Sequence, residues 1–264
     1  MRRAPLGLAI GLALCTLFLA IGVAPGLFAG PSDAVAVTRR LEAPSAEFWF
    51  GTDETGRDVY ARVVHGAGTT LGIVGVAMGL AGLLGGGMGV LAGFAGRFTD
   101  LALSRMADAL LAFPPIILGV ILASTLGSGP GNLVLALAII YLPVFYRVAR
   151  AAALVESGRA YVEAARALGH GEATILLRHV LRNVAPAIAL QCVILFPLAL
   201  QIQAALGFLG LGVPPPTPDW GASLQESRNY LTAAPWLAVF PGLALLLAAI
   251  AASLLGRALQ ARAA

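Results

Sequence analysis

Residues 161–183 read YVEAARALGHGEATILLRHVLRN and separate two stretches that are apolar enough to cross a membrane. We call residues 161–183 the polar island. An apolar stripe at i, i+3, i+4 and i+7 predicts a short helix over residues 161–168. The stripe consists of Tyr161, Ala164, Ala165 and Leu168. Gly169 and Gly171 are expected to end this helix, which makes only about two turns. An isolated helix in water needs roughly 12 to 15 residues, so we expect this one to persist only when docked.

The composition places the chain in a lipid bilayer. Of its 264 residues, 59% are hydrophobic and 11% are charged, and the mean hydropathy is +0.87. Soluble domains carry about 25% charged residues. All 17 basic residues are arginine, which excludes the lysine-containing GxxxxGK[ST] phosphate loop. Two cysteines in apolar runs and three scattered histidines predict no metal site and no catalytic cluster.

Six apolar runs approach the roughly 20 residues that cross about 30 Å of hydrocarbon. In chain order they cover residues 5–28, 70–94, 110–126, 133–148, 185–213 and 237–255. The third and fourth runs are short, and only the turn LGSGPGN separates them. We therefore predict an all-α membrane protein with about six transmembrane helices, in which the polar island lies between helices 4 and 5.

The placement of arginines predicts which side of the membrane the polar island faces. With the amino terminus in the cytoplasm, most arginines fall in inner segments, as the positive-inside rule requires. The outer arginines are Arg39, Arg40, Arg57, Arg62 and Arg228. This orientation places the polar island and both termini in the cytoplasm. Arg2 and Arg3 before the first run also suit a cleaved signal peptide, but a signal's apolar region is only about 7 to 15 residues, which favours an uncleaved anchor.

Glycines in the second run predict a close contact between helices. Gly85, Gly89 and Gly93 recur every four residues, and Gly82 and Gly86 lie beside them. This spacing lets a neighbouring backbone approach closely. Prolines in the later runs predict kinked helices. They are Pro114, Pro115, Pro143 and Pro197.

The polar island resembles the cytoplasmic signature of the membrane subunits of binding-protein-dependent ABC importers. In that signature EAA is followed by three residues, a glycine and, further on, a hydrophobic pair and a proline. The matching residues here are Glu163, Ala164, Ala165, Gly169, Val180 and Leu181. Four further blocks narrow the resemblance to the dipeptide, oligopeptide and nickel type. They are GTDETGRD at 51–58, the series Asp100, Arg105, Asp108, Phe113 and Pro114, LGFLGLGVPPPTPDWG at 206–221, and PWLAVFPG at 235–242.

The resemblance implies a function and a set of partners. The chain would form half of the translocation pathway of an ATP-driven importer in the bacterial inner membrane. The implied substrates are di- or oligopeptides, and the alternative is nickel or another small solute. The chain has a single apolar run before the GTDETGRD block, and in this it resembles the second of the two permease subunits of such importers. The implied partners are a second permease subunit, two cytoplasmic ATPase subunits or domains, a periplasmic or lipid-anchored solute-binding protein and membrane lipids, with no nucleic acid. ATP and Mg would be bound by the ATPases, so no cofactor is expected in this chain.

The same resemblance divides the chain and assigns roles within it. Residues 1–30 would be an N-terminal anchor, 31–66 a periplasmic segment and 67–264 the permease domain, with a cytoplasmic coupling loop at 150–185. In this family the helix of the polar island docks in a cleft of an ATPase, and a short helix with one apolar stripe suits such a groove. The implied coupling residues are Tyr161, Glu163, Ala164, Ala165, Leu168 and Gly169.

Two coupling residues carry more specific expectations. Glu163 either pairs with Arg159 or Arg166 on its own helix or meets a basic residue of the ATPase. Gly169 permits a backbone conformation that other residues avoid, so it is expected to turn the chain.

The chain departs from the family pattern at two places. Arg182 stands where the family has a proline, so the helix is free to run on toward Pro186. Gln203 stands where the family usually has an acidic residue. Gln201 and Gln203 are polar groups in an apolar run, and they either line the pathway or form hydrogen bonds between helices.

The outer segments carry residues that suit contact with a solute-binding protein. Asp53, Arg57, Asp58 and Trp220 are the candidates, and the alternative is that they only hold their loops together. Two other classes of membrane protein also remain, a secondary transporter and a scaffold. A secondary transporter is disfavoured because no inverted repeat is evident and the acidic residues near the runs lie toward one end.

Overall fold

The computed structural model describes the backbone of residues 4–263, with the side chains of residues 4–6, 97 and 263 excluded. Helices dominate the described chain, and its only β pairing is an isolated bridge between Thr52 and Asp58. The helices are α1 Ala4–Val23, α2 Val59–Ala95, α3 Arg97–Leu111, α4 Pro115–Leu126, α5 Pro130–Ser157, α6 Ala160–Ala167, α7 Glu172–Ile175, α8 Leu181–Phe208, α9 Trp220–Ser227 and α10 Trp236–Ala263. The predicted all-α membrane fold is confirmed.

One continuous helix runs from the polar island into the membrane. A π-helical turn, Leu176–Val180, joins α7 to α8, so Glu172–Phe208 is a continuous helix of 37 residues. At 1.5 Å per residue it is about 55 Å long, well beyond the roughly 30 Å of a hydrocarbon core. The helix passes Arg182 and includes Pro186 without ending, as the missing family proline predicted. We call Glu172–Phe208 the long rod.

The third predicted transmembrane span, residues 110–126, is not a single helix that crosses the membrane. Within the described residues, four helices are long and apolar enough to cross a membrane: α2, α5, the long rod and α10. Phe98–Leu111 and Pro115–Leu126 qualify only together, and they meet at a bend of 92°. The prediction of one span over residues 110–126 was wrong in this respect, because Pro114 and Pro115 break the helix. With 12 residues, α4 is about 18 Å long and covers only part of the bilayer.

The centre of the bundle is the contact between α2 and α5. The glycines of α2 make this contact possible, because a Cβ on Gly85 or Gly89 would strike a carbonyl oxygen of α5. A Cβ on Gly93 would lie 2.8 Å from the Cβ of Ala153. Gly82 and Gly86 face Ile188 of α8 instead. The close approach predicted from the glycine spacing is confirmed, and it involves two neighbouring helices, α5 and α8.

The bundle has two ends with different contents. Gly11 of α1 abuts Leu254 and Leu255 of α10, and Gly22 abuts Gly68 near the start of α2. Both described termini therefore lie at the end that carries the polar island, which we call the island end. Arg2 and Arg3, which entered the orientation prediction, lie outside the described residues.

The opposite end gathers the segments 24–58 and 209–235, and we call it the loop end. Trp236 Nε1 donates to the Thr52 carbonyl at 3.2 Å, and Arg62 Nη2 lies 2.9 Å from Glu226 Oε2. Residues 59–66, assigned from the sequence to the outer segment, form the first two turns of α2. The outer segment is therefore tied to α2, α9 and α10.

Candidate functional site

The predicted short helix of the polar island is α6, and its two ends follow from local sequence. It begins at Ala160, one residue before the prediction, and ends at Ala167. Gly169 has φ +82°, a left-handed conformation that favours glycine, and it turns the chain toward α7. Gly171 then stands as the N-cap of α7. The glycine break predicted from the sequence is confirmed.

The inner face of α6 packs on this chain. Val162 is fully buried and Ala165 is 6% exposed. They join a cluster of side chains from α2, α5 and the long rod. The other buried members are Val90, Ala149, Ala153, Ile175, Val180 and Val184. The helix is therefore docked on the membrane helices of its own subunit, and Ala165 lies on this inner face.

The outer face of α6 is free within the described chain. Leu168 is 80% exposed and Tyr161 is 37% exposed, and Ala164 and Glu163 are exposed as well. Leu177, in the π-helical turn, is 61% exposed. Three of the four members of the predicted stripe thus face outward. Sequence reasoning missed Val162 as the inner anchor, because it lies off the i, i+3, i+4, i+7 stripe.

A hydrogen-bond network fixes the beginning of α6. The Tyr161 hydroxyl donates to the Glu156 carboxylate at the end of α5. Asn183 Nδ2 donates to the Glu156 carboxylate and to the Tyr161 oxygen, both at 2.9 Å. Desolvation and the hydrogen bond to Glu156 raise the pKa of Tyr161, so its hydroxyl stays a donor. The network connects α5, α6 and α8 at one point.

Glu163 has neither of the intrahelical partners that we considered for it. Arg159 pairs with Glu156 at 3.0 Å, and Arg166 pairs with Glu172 at 2.9 Å. Among the described residues no cationic nitrogen lies within 4.0 Å of the Glu163 carboxylate. Glu163 therefore has no ion-pair partner among the described side chains, although its charge acts on Arg166 from a distance. It lies next to the exposed apolar face.

Arg166 connects α6 to the end of α2. Its guanidinium lies over the ring of Phe94, 5.5 Å from the ring centroid, which is within the range of cation–π attraction. Together with the buried face, this contact places α6 against the ends of α2, α5 and the long rod. A displacement of α6 would therefore act on three membrane helices at once.

The two glutamines of α8 have different surroundings. Gln203 is fully buried, and its Nε2 donates to Asp219 Oδ2 at 2.7 Å. The hydroxyl of Thr70 donates to the same oxygen at 2.8 Å, and the Ala222 N–H donates to Asp219 Oδ1 at 2.9 Å. Gln203 thus joins α8 to α2 and to the start of α9, as the interhelical alternative requires. Gln201 is exposed on α8.

We expect Gln203→Ala to lower the free energy of unfolding by about 2 kcal/mol, because Asp219 loses a donor and a cavity forms. The matched variant Gln201→Ala, two residues earlier on the same helix, should change it by less than about 0.5 kcal/mol. Unfolding of the purified chain in mixed micelles measures both. If the two variants lower the free energy of unfolding equally, the buried hydrogen bond of Gln203 and the exposed position of Gln201 are wrong.

The outer candidates hold their own loops together. Asp53 lies 2.7 Å from Arg57 and also accepts from Thr55 at 2.8 Å, and Asp58 caps α2 by accepting from the Tyr60 N–H at 2.9 Å. Burial alone would raise the pKa of Asp53, but these hydrogen bonds and the Arg57 charge hold it below its ordinary value. The indole of Trp220 donates to the Val63 carbonyl at 2.8 Å. These contacts agree with the alternative prediction, in which the four residues stabilise the loop end rather than bind a partner.

Comparison with known proteins gives the chain a family. Residues 85–264, more than half of the chain, match the model of the binding-protein-dependent transport system inner membrane component. A dipeptide transport system permease protein, DppC, of Alkalihalophilus pseudofirmus is 36% identical over 95% of this chain and 83% of its own length.

Two other relatives agree with this assignment. The glutathione transport system permease protein GsiD of Escherichia coli is 41% identical over 82% of this chain and 72% of its own length. A putative peptide transport system permease protein of Brucella suis biovar 1 is 36% identical over 98% of this chain and 87% of its own length. These matches confirm the resemblance first seen in the polar island. The chain therefore belongs to the binding-protein-dependent transport system inner membrane components.

Proposed function

We propose that this chain forms half of the translocation pathway of an ATP-driven peptide importer in the bacterial inner membrane. The observation that carries the proposal is the two-faced α6, docked inside through Val162 and open outside at Leu168 and Glu163. An exposed apolar face beside a carboxylate that pairs with no described side chain suits the groove of a partner that supplies a basic residue. That partner is proposed to be one of two cytoplasmic ATPase subunits.

The remaining parts of the proposal follow the same arrangement. A second permease subunit would complete the pathway, and a solute-binding protein would deliver the substrate at the loop end. The island end, with both termini, would face the cytoplasm in agreement with the arginine distribution. Gln201, exposed on α8, is proposed to face the pathway. ATP and Mg would be held by the ATPases, and this chain would perform no chemistry of its own.

The choice of substrate rests on the relatives. Their names concern transport of dipeptides, glutathione and peptides, which favours a peptide over nickel. ATP binding must prefer one state of the transporter, because a ligand that binds both states equally shifts neither. The contact of α6 with the ends of α2, α5 and the long rod would communicate that preference to the pathway.

Reconstitution of the complete transporter tests the proposal. Uptake of a labelled peptide should require ATP and the binding protein, whereas uptake driven by an ion gradient would indicate a secondary transporter, and no uptake a scaffold.

Glu163→Lys should lower ATP-driven uptake at least about tenfold, because it reverses the charge that the partner meets. Gly169→Asp should act similarly by straining the turn after α6. Both chains should remain in the membrane in normal amounts, since Glu163 and Gly169 are exposed positions. Uptake at the wild-type level in either variant would reject the coupling role.

A further inference from the structure

The loop end contains an open cavity of about 340 Å³, within the size range of ligand-binding sites. It lies between the end of α8, the turn from α4 to α5, and α9. The lining residues are Ser128, Gly207, Gly210, Gly212, Val213, Pro214, Pro215, Ala222, Gln225 and Glu226. Among these lining residues, only Glu226 is ionisable.

The glycines leave the wall of the cavity formed largely by backbone. Gly210 has φ +80°, and Gly207 and Gly212 lie so close together that a Cβ on Gly212 would be 2.7 Å from the Gly207 Cα. Side chains at these positions would strain the backbone or collide with it. The Gln225 amide adds a polar group to a wall that carries few bulky side chains, which leaves room for a ligand.

The Glu226 carboxylate is held in place from behind. Arg62, only 4% exposed, donates from Nη2 to Glu226 Oε2 at 2.9 Å. The side chain of Glu226 keeps 15% of its surface exposed. The carboxylate is therefore preorganised by an arginine that cannot reorient into solvent.

The charges around Arg62 do not balance. Three carboxylates, those of Asp53, Glu54 and Glu226, surround two guanidiniums, those of Arg57 and Arg62. Glu54 Oε2 and Arg62 Nη1 are buried and have no hydrogen-bond partner among the described residues. Burial, together with the negative charges of Glu226 and Asp53, raises the pKa of Glu54. With all five groups ionised the cluster would carry one surplus negative charge, which the raised pKa of Glu54 opposes. Glu226 is the carboxylate of this cluster that also lines the larger cavity.

We propose that this cavity binds a primary ammonium group at Glu226, and that its occupant is the amino terminus of a peptide entering the pathway. A basic side chain of the solute-binding protein offers a related cation, but one side chain fills little of a cavity of about 340 Å³. The proposal rests on the proposed peptide transport, because it identifies the part of the substrate that this chain recognises.

The test uses the complete transporter in lipid nanodiscs, without binding protein, and the probes trialanine and N-acetyl-trialanine. Saturation-transfer NMR should show that trialanine binds about tenfold more tightly than its acetylated form, because acetylation removes the ammonium. Glu226→Gln should abolish this preference, while its amide oxygen can still accept from Arg62. Ser128→Lys, which places an ammonium on the rim of the cavity, should compete and reduce trialanine binding about tenfold.

Glu47→Gln is the matched control, since it removes an outer carboxylate that is 66% exposed and does not line the cavity. It should keep the full preference for trialanine. Equal binding of the two probes to the wild-type transporter, or an unchanged preference in Glu226→Gln, would overturn the proposal. If Glu226→Gln instead loses affinity for the unloaded binding protein, the cavity binds a basic residue of that protein. This result would also overturn the proposal. If the wild-type transporter still takes up peptide with ATP in these cases, only the proposal for the cavity fails and the proposed function stands.

Discussion

Replacing Gly89 by leucine should prevent α2 from packing on α5 and lower the free energy of unfolding by about 3 kcal/mol or more. A Cβ at this position already meets the carbonyl oxygen of Tyr146, and backbone atoms of α5 cannot move aside as a flexible side chain can. The two helices form the most extensive contact of the bundle. Unfolding in mixed micelles and the amount of chain in the membrane measure the effect.

Gly87 provides the control for this prediction on the same helix. A Cβ on Gly87 meets nothing within 4 Å, so Gly87→Leu should leave the bundle intact. Both substitutions replace a helical glycine by leucine, which alone favours the helix by up to about 1 kcal/mol. If Gly89→Leu unfolds no more readily than Gly87→Leu, the close contact between α2 and α5 is wrong.

The second large effect separates the two faces of α6. Val162→Asp should destabilise the chain by several kcal/mol, because it buries a carboxylate without a partner at a fully buried position. Leu168→Asp, six residues later, should change the free energy of unfolding by less than about 0.5 kcal/mol, since Leu168 is 80% exposed. Uptake with Leu168→Asp should nevertheless fall more than about tenfold, because the charge would enter the apolar contact that we propose with the ATPase.

Two measurements on each variant make this comparison decisive. Thermal unfolding reports on the inner face, and the ratio of uptake to ATP hydrolysis reports on the outer face. If Leu168→Asp transports normally, the outer face of α6 is not the coupling surface. If Val162→Asp is as stable as the wild type, α6 is not docked on its own subunit as described.

Several parts of the structure could be predicted from the sequence because they depend on local interactions. The period of the apolar residues and Gly169 define α6 almost to the residue. The spacing of Gly85 and Gly89 predicts an approach of two backbones, since it depends only on the helical repeat. The continuation of the helix past Arg182 follows from the absence of a residue that would break it.

Other parts depend on residues far apart in the chain. The fourth predicted span ended at residue 148, yet α5 continues to Ser157, and two of its arginines near residue 148 have carboxylate partners on α3. Arg150 Nη2 lies 2.6 Å from Asp100, and Arg147 lies 2.8 Å from Asp108. Hydropathy alone counts these arginines against the helix. The 92° bend between α3 and α4 could not be predicted either, since apolar content does not determine the angle between two helices.

The partner of Gln203 was also beyond local reasoning. Asp219 follows the irregular segment after α8, and no periodicity connects the two residues. The resemblance to the family indicated that an acidic residue is missing at position 203. The structure shows that a carboxylate is nevertheless present at that place, contributed by the loop.

The long rod has a mechanical consequence. A helix of about 55 Å that tilts by about 5° around its midpoint moves each end by about 2 Å, in opposite directions. Glu172 at one end is paired with Arg166 of α6, and Gly207 near the other end lines the cavity that contains Glu226. A proline bend at position 182 would absorb part of such a tilt as flexing. Arg182 leaves the helix continuous at this position, and its prolines lie further on, at Pro186 and Pro197. A tilt at the island end would therefore move the loop end as well, less any bend at these two prolines.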